Sequence, residues 1–335
     1  MSHANISIFV PHIGCPNMCS FCNQHSITGS IKVPNKEDID KAVLEAKTSK
    51  NYDPKATELA FFGGSFTGIE KTLMLELLSA AKEHIDNGSV CGIRISTRPD
   101  FITLDILKVL KEYGVSAIEL GAQSMCDEVL KLNRRGHLAE DVKIASELIK
   151  NMGFELGLQM MTGLYGSNDE LDRKTANEII SINPKTVRIY PTITLKNTYL
   201  ETAFKSGEYL PQKLDDAVSL CDELIAMFEK ANIKIIRVGL HSIEEDSYVA
   251  GPWHPAFKEL CDSRRMLNSA IEKLRGLNKG EYILNVSPKS ISKMIGNKRS
   301  NLKALQKLGF MCRVKANDNL KEFEILLERM NNSCS

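Results

Sequence analysis

A chain of 335 residues, 43% hydrophobic and 25% charged, has the composition of a folded globular protein, which excludes a disordered or fibrous class. No apolar run reaches the roughly 20 residues that a membrane helix needs, and the opening MSHANISIFVPHIGC has neither the basic start nor the cleavage site of a secretory leader, so a cytoplasmic protein with no membrane partner is expected. The formal charge of +1 conceals a skew: residues 279–315 hold nine Lys and Arg against the single acid Glu281, which suits a polyanionic partner.

Short apolar runs then alternate with longer amphipathic ones. ISIFVP (6–11), ELAFFGG (58–64), CGIRIST (91–97), AIELGAQ (117–123), FELGLQMM (154–161) and TVRIYPT (186–192) read as buried strands, apolar on both faces as in a helix-covered parallel sheet. Between them KEDIDKAVLEAKT, TLMLELLSAAKEHI, LDILKVLKEYG, AEDVKIASELIKNMG and ELDRKTANEIISI carry helical periodicity. Six β-α units predict an α/β fold with a curled parallel sheet, a full or partial barrel, with chemistry at the C-terminal strand ends. A doubly wound sheet is the alternative, with its site in the same loops. Next come a helix, DDAVSLCDELIAMFEKANI, a further strand, KIIRVGL, the polar stretch EEDSYVAGPWHPAF, and a helix near 258–275. GLNKGE (276–281) reads as a linker, and beyond it YILNVSP, SISKMIGNKRSNLKALQKLG, MCRVKAN and LKEFEILLERM predict strand, two short helices, strand and helix. The expected domains are a barrel at 1–240, a helical connecting region at 241–280 and a basic module at 281–335.

Six of the nine cysteines are scattered and read as buried or surface thiols of a reducing compartment. Cys15, Cys19 and Cys22 instead form a C-x3-C-x2-C loop directly after the first strand. A structural zinc site would close it with His12 or His25 as a fourth ligand. A [4Fe-4S] cluster would take the three thiolates and leave one iron open for a substrate or cofactor.

The triplet, with Phe21 before its last cysteine, resembles the fingerprint of the radical S-adenosylmethionine enzymes, which carry their cluster loop after the first strand of a partial barrel. The resemblance implies a partial (β/α)6 TIM-like barrel holding a [4Fe-4S] cluster and S-adenosylmethionine, with the three cysteines as cluster ligands. FFGGSF would place Gly63, Gly64 and Ser65 at the methionine amino group, where glycine admits close backbone approach. Ser96, Thr97 and Arg98 of ISTRPD would meet the ribose or carboxylate, and Gln123, Gln159 and Met161 would lie near the adenine. Arg188 and Tyr190 would line the pocket. STRPD, GAQS and IYPTITLKNTYLETAFKSGEY are similar to the radical domain of the catalytic subunit of Elongator, which modifies transfer RNA, and to oxygen-independent coproporphyrinogen oxidase. The cysteine spacing differs from that of Elongator, and the chain has no room for its acetyltransferase domain, so acetyl transfer is not expected. The implied chemistry is reductive: an electron from flavodoxin or ferredoxin cleaves the sulfonium, and the resulting 5′-deoxyadenosyl radical takes hydrogen from the substrate.

SKMIGNKRSNLKAL, in its strand-helix-helix-strand frame, resembles the core of a KH module, whose G-x-x-G loop clamps a nucleic-acid backbone. Here the loop is Gly296, Asn297, Lys298 and Arg299, with arginine in place of the second glycine. The resemblance implies a small C-terminal α/β (KH-like) module in which Lys293, Lys298, Arg299 and Lys303 meet phosphates beside Gly296 and Asn297. The expected function is a radical enzyme acting on RNA, with transfer RNA as partner. The alternatives are a small-molecule, porphyrin-like substrate, and an RNA-binding protein with a structural or redox-sensing cluster.

Overall fold

The computed structural model describes residues 4–11, 14–15, 18–23, 32–240, 243 and 245–330. Two compact units make up the chain: Met1–Lys213 with Met227–Trp253, and Leu214–Ala226 with His254–Ser335.

In the first unit the strands are β1 (Ala4–Val10), β2 (Thr57–Gly63), β3 (Gly92–Thr97), β4 (Val115–Gln123), β5 (Glu155–Thr162), β6 (Thr186–Pro191), the short β7 (Thr194–Leu195), and β8 (Lys234–Val238). The helices between them are α1 (Lys36–Lys47), α2 (Lys71–Asp86), α3 (Leu104–Glu112), α4 (Asp127–Leu132), α5 (Ala139–Asn151), α6 (Asp169–Ile182), α7 (Tyr199–Ser206) and α8 (Leu214–Lys230), the last spanning the division between units. Polar side chains start several helices. Asn35 and Asp38 form a reciprocal capping box on α1, and Thr103, Asn168 and Thr198 accept from first-turn amides of α3, α6 and α7.

The strand order β1-β2-β3-β4-β5-β6-β8 follows the chain, and every neighbouring pair is parallel. A doubly wound sheet reverses its order at a switch point. This one never reverses, which is the order of a curled parallel half-barrel, with KIIRVGL added as a seventh strand.

The register separates two faces. One carries Leu59, Phe61, Ile93, Ile95, Ile118, Leu120, Leu158, Met160, Val187 and Ile189, all buried. The other is not apolar, as the runs suggested. It holds Glu58, Arg94, Ser96, Glu119, Gln159, Arg188 and Arg237, with Gly157 leaving room for the Glu119 side chain. Arg94 bonds Glu58 at 2.7 Å and Glu155 at 2.8 Å and approaches Glu119 at 3.4 Å, while Arg188 takes both Glu119 oxygens at 2.6 and 3.0 Å. Pairing makes these buried charges tolerable.

The second unit contains α9 (Phe257–Leu274), β10 (Gly280–Val286), α10 (Ile291–Ile295), α11 (Ser300–Lys307), β11 (Phe310–Ala316) and β12 (Ile325–Arg329). A further short strand, β9 (Tyr248–Ala250), belongs to the first unit, where it pairs antiparallel with β7. The second unit's sheet runs β11-β10-β12, parallel then antiparallel. Met266, Ala270 and Leu274 of α9 share its core with Tyr282, Leu284, Val286, Met294 and Leu305, so the helix expected in a connecting region is part of this unit.

LKEFEILLERM, read from the sequence as a helix, is instead turn and strand. Ile325 is buried and Leu327 packs on the core, while Leu326 is 54% exposed. That two-residue period, with β10 offering a free edge, decides for a strand. Ile325→Ala should therefore cost about 2–4 kcal/mol in urea unfolding and Leu326→Ala less than about 0.5 kcal/mol; equal losses would contradict the strand.

Candidate functional site

The cysteine loop leaves β1 at the C-terminal edge of the sheet and is held there by backbone packing. A Cβ on Gly14 would collide with the Ser65 carbonyl, and one on Gly68 with the Gly14 carbonyl. Gly64 donates its N–H to Val10 O at 2.9 Å, and Gly63, at φ +114°, is confined by the Phe9 ring and Val10 O. The segment after β2 thus seals against the segment after β1.

The second anchor is the loop Asn133–His137 between α4 and α5. Ser20 N–H donates to Asn133 O at 3.1 Å, and Ser20 Oγ to Asn133 Oδ1 at 2.6 Å. Arg135 is 5% exposed and donates Nη1 to Cys19 Sγ at 3.1 Å and Nη2 to Gly121 O at 2.7 Å. Arg98 holds that arginine in turn, donating to the Arg135 carbonyl and, at 2.9 and 2.8 Å, to Asp100. On the outer side Leu200 N–H donates to Ser20 O, Asn23 donates to Lys196 O, and Phe21 packs with the Leu200 and Met161 clusters.

All three cysteines are free thiols. Burial and the neighbouring thiols Cys19 and Cys15 push Cys22 up to about 12. Burial also raises Cys15, against the Ser65 N–H and the charges of Arg98 and Arg135, which pull it down. Burial beside Arg135 lowers His137 to about 4, so its ring is neutral.

Most of the sequence-expected residues converge on this edge. Ser65 Oγ and Thr97 Oγ1 lie 2.8 Å apart, and Arg98 N–H donates to Ser65 Oγ at 3.3 Å. Ser96 pairs in register with Glu119 on the polar face. Gln159 donates Nε2 to Gln123 Oε1 at 3.1 Å, and Gln123 takes a left-handed φ of +65° at a bulge in β4. Met161 and Tyr190 pair in register and pack with Val129 and Leu164. Arg188, expected to line the pocket, is committed to Glu119, stacks 5.1 Å from the Phe62 ring and reaches Tyr190 Oη only at 3.5 Å. Gly296, Asn297, Lys298, Arg299 and Lys303 lie in the second unit. So does Lys293, which pairs with Glu322 and Asp262 and sits 4.7 Å from the Phe323 ring.

Sequence reasoning missed Arg135, Glu119 and the Asn133–His137 loop. The signal available was two adjacent arginines in a loop on the catalytic side of the sheet. A cavity of about 670 Å³ opens beyond β5, lined by Gly163–Glu170, Arg173 and the 208–212 segment. Its floor is tied by Asp172, which accepts from Gly163 N–H at 2.9 Å and Ser167 Oγ at 2.6 Å.

The donor set fits the expected groups. Three thiols influence one another's charge on a single loop, and that loop is lined by positive guanidinium groups. Arg98 Nη1 and Arg135 Nε are buried donors with no partner among the described residues, which suits an anionic acceptor such as a carboxylate. Among the described residues no three Cys, His, Asp or Glu converge on one ion-sized point. His12 and His25, the zinc alternative's fourth ligands, lie outside the described residues.

A family model described as the Radical SAM superfamily matches residues 9–179, and one described as the Radical_SAM C-terminal domain matches 184–267. A tRNA uridine(34) acetyltransferase of Methanocaldococcus infernus is 35% identical over 129 residues, 38% of this chain and 24% of that protein. Human Elongator complex protein 3 is 31% identical over 139 residues, 41% and 25% respectively. The chain thus matches about a quarter of the length of these curated relatives. An uncharacterized protein of Methanocaldococcus jannaschii is 27% identical over 278 residues, 82% of this chain and 80% of that one. Among solved structures, the archaeal Methanocaldococcus infernus Elp3 with an N-terminal deletion shares the fold at a TM-score of 0.65 and 22% identity, covering 83% of this chain and 65% of that chain.

Two outcomes follow from the geometry. After anaerobic loading with iron and sulfide, Arg135→Met should weaken cluster retention about tenfold, whereas Cys91→Ala, an exposed thiol away from the loop, should leave it unchanged by iron and sulfide analysis. Burial raises Asp172 from 3.8 to about 6, so folding favours its protonated form. The stability this gives is complete below pH 3.8 and is lost as pH rises through about 6. Relative to Asp172→Asn, the parent should lose about 3 kcal/mol across that interval in urea melts.

Proposed function

The chain belongs to the radical SAM superfamily, whose members use a [4Fe-4S] cluster and S-adenosylmethionine, and on that footing we propose that it modifies a base of RNA, with transfer RNA as its substrate. Bound together, the two groups supply reductive cleavage of a sulfonium C–S bond, the chemistry that lets hydrogen be taken from an unreactive carbon.

The protein's share is to hold, orient and keep water out. Cys15, Cys19 and Cys22 would hold the cluster, with the Arg135 guanidinium and the Ser65 N–H offsetting thiolate charge. Arg98 Nη1 and Arg135 Nε would receive the carboxylate of the methionine moiety, and Ser65, Thr97 and the adjoining Gly63–Gly64 turn would flank it. The amides of Gln123 and Gln159 offer a donor and acceptor pair for the nucleoside part, with Ser96 deeper on the same face. Phe21, Met161 and Tyr190 form an apolar wall that excludes water. Arg188 acts through Glu119, keeping that carboxylate neutralised below the site.

The observation that carries the RNA reading is the likeness to proteins named for transfer RNA uridine 34. It covers between about a quarter and about half of their length, so acetyl transfer is no part of the proposal. Flavodoxin or ferredoxin is the proposed electron donor.

The test is anaerobic turnover with S-adenosylmethionine, a reductant and transfer RNA, followed by nucleoside mass spectrometry. The expected result is a mass change at a transfer RNA uridine, with 5′-deoxyadenosine yield raised several-fold by RNA and abolished in Cys22→Ala. A yield indifferent to RNA but raised by a porphyrinogen would move the function to a small-molecule substrate.

A further inference from the structure

The basic surface of the second unit is left over once the site has been described. Its loop between α10 and α11 is unusual in its backbone. Gly296 has φ +76°, and a Cβ there would collide with Ser300 Oγ. Lys298 and Arg299 follow with φ of +50° and +63°, a left-handed region that glycine or asparagine enters far more readily. Both side chains are exposed. The buried Asn301 fixes the loop, with Nδ2 donating to Ser263 O at 2.8 Å, Ser263 Oγ at 3.1 Å and Lys293 O at 3.0 Å. Two adjacent cations are thus held outward in a backbone that disfavours both residue types. Conformations of this kind persist where function requires them.

The charges form a pattern. Lys303 and Lys307 are four residues apart, so they lie on one face of α11, about 6 Å apart along its axis, and Arg299 immediately precedes that helix. Like charges at that spacing weaken a helix. Among the described residues neither they nor Lys298 lies within ion-pair distance of an acid, in contrast to Lys36, Lys82, Lys143 and Lys205 of the first unit. Lys293, one turn before the loop, is the exception, being neutralised by Asp262 and Glu322.

A row of unneutralised cations on a preformed turn and helix face is complementary to a run of phosphates. We propose that Lys298, Arg299, Lys303 and Lys307 bind the sugar-phosphate backbone of the RNA substrate, and that Lys293 takes no part. The inference rests on the RNA reading of the active site and assigns it a second, sequence-independent grip.

The experiment is fluorescence anisotropy of labelled transfer RNA with the full-length, cluster-loaded chain across a salt series. Two double variants are compared with the parent: Lys303→Glu with Lys307→Glu, and Lys298→Gly with Arg299→Gly. The glycine pair removes two cations while relieving the backbone, so its urea midpoint should match or exceed the parent's while RNA affinity falls at least about tenfold at low salt. The slope of log affinity against log salt should flatten by about 0.7–0.9 per lost phosphate contact. Parental affinity and slope in both variants would overturn the assignment and leave the RNA reading standing. No binding of transfer RNA by the parent would overturn both. Equal affinity for duplex DNA of the same length would reduce the surface to a general polyanion binder and overturn it as an RNA grip.

Discussion

Three thiols on one loop oppose one another's ionisation, and in the first unit Arg135 and Arg98 set positive charge against them. Arg135 is the pivot. One arm of its guanidinium donates to Cys19 Sγ and the other to the Gly121 carbonyl, so a single side chain both sets a positive charge against the cysteine loop and ties that loop to β4. Arg98 fixes it by donating to its carbonyl, and Asp100 fixes Arg98. The packed backbones at Gly14, Ser65 and Gly68 supply the remaining constraint, because a Cβ at Gly14 would meet the Ser65 carbonyl and one at Gly68 the Gly14 carbonyl.

Beneath this rim lies a second electrostatic layer with a different purpose. Glu119 accepts both bonds of Arg188 and lies 3.4 Å from Arg94, which also binds Glu58 and Glu155. Carboxylates and guanidiniums there satisfy one another. At the rim, by contrast, Arg98 Nη1 and Arg135 Nε keep hydrogens without acceptors. That difference separates groups that hold the sheet together from groups available to a ligand.

The sequence disclosed the fold where one physical signal dominated. Each apolar run became a strand within a few residues of its expected ends, and the cysteine spacing singled out the loop after β1 because the chemistry of three thiols is local in sequence. What it hid was long-range pairing. Glu119 and Arg188 meet across 69 positions and Arg135 and Cys19 across 116, and no local pattern announces such partners. ILLER was misread because five apolar or helix-favouring residues in a row satisfy either period; the free edge of β10 chose the strand. Lys293 looked like its basic neighbours, yet it points to Asp262 and Glu322.

The first and last strands of the large sheet, β1 and β8, do not pair with each other. A closed cylinder has no edge strand. A sheet that stops short keeps two, and each leaves one row of backbone N–H and C=O groups without a partner inside the sheet, to be met by other segments or by solvent.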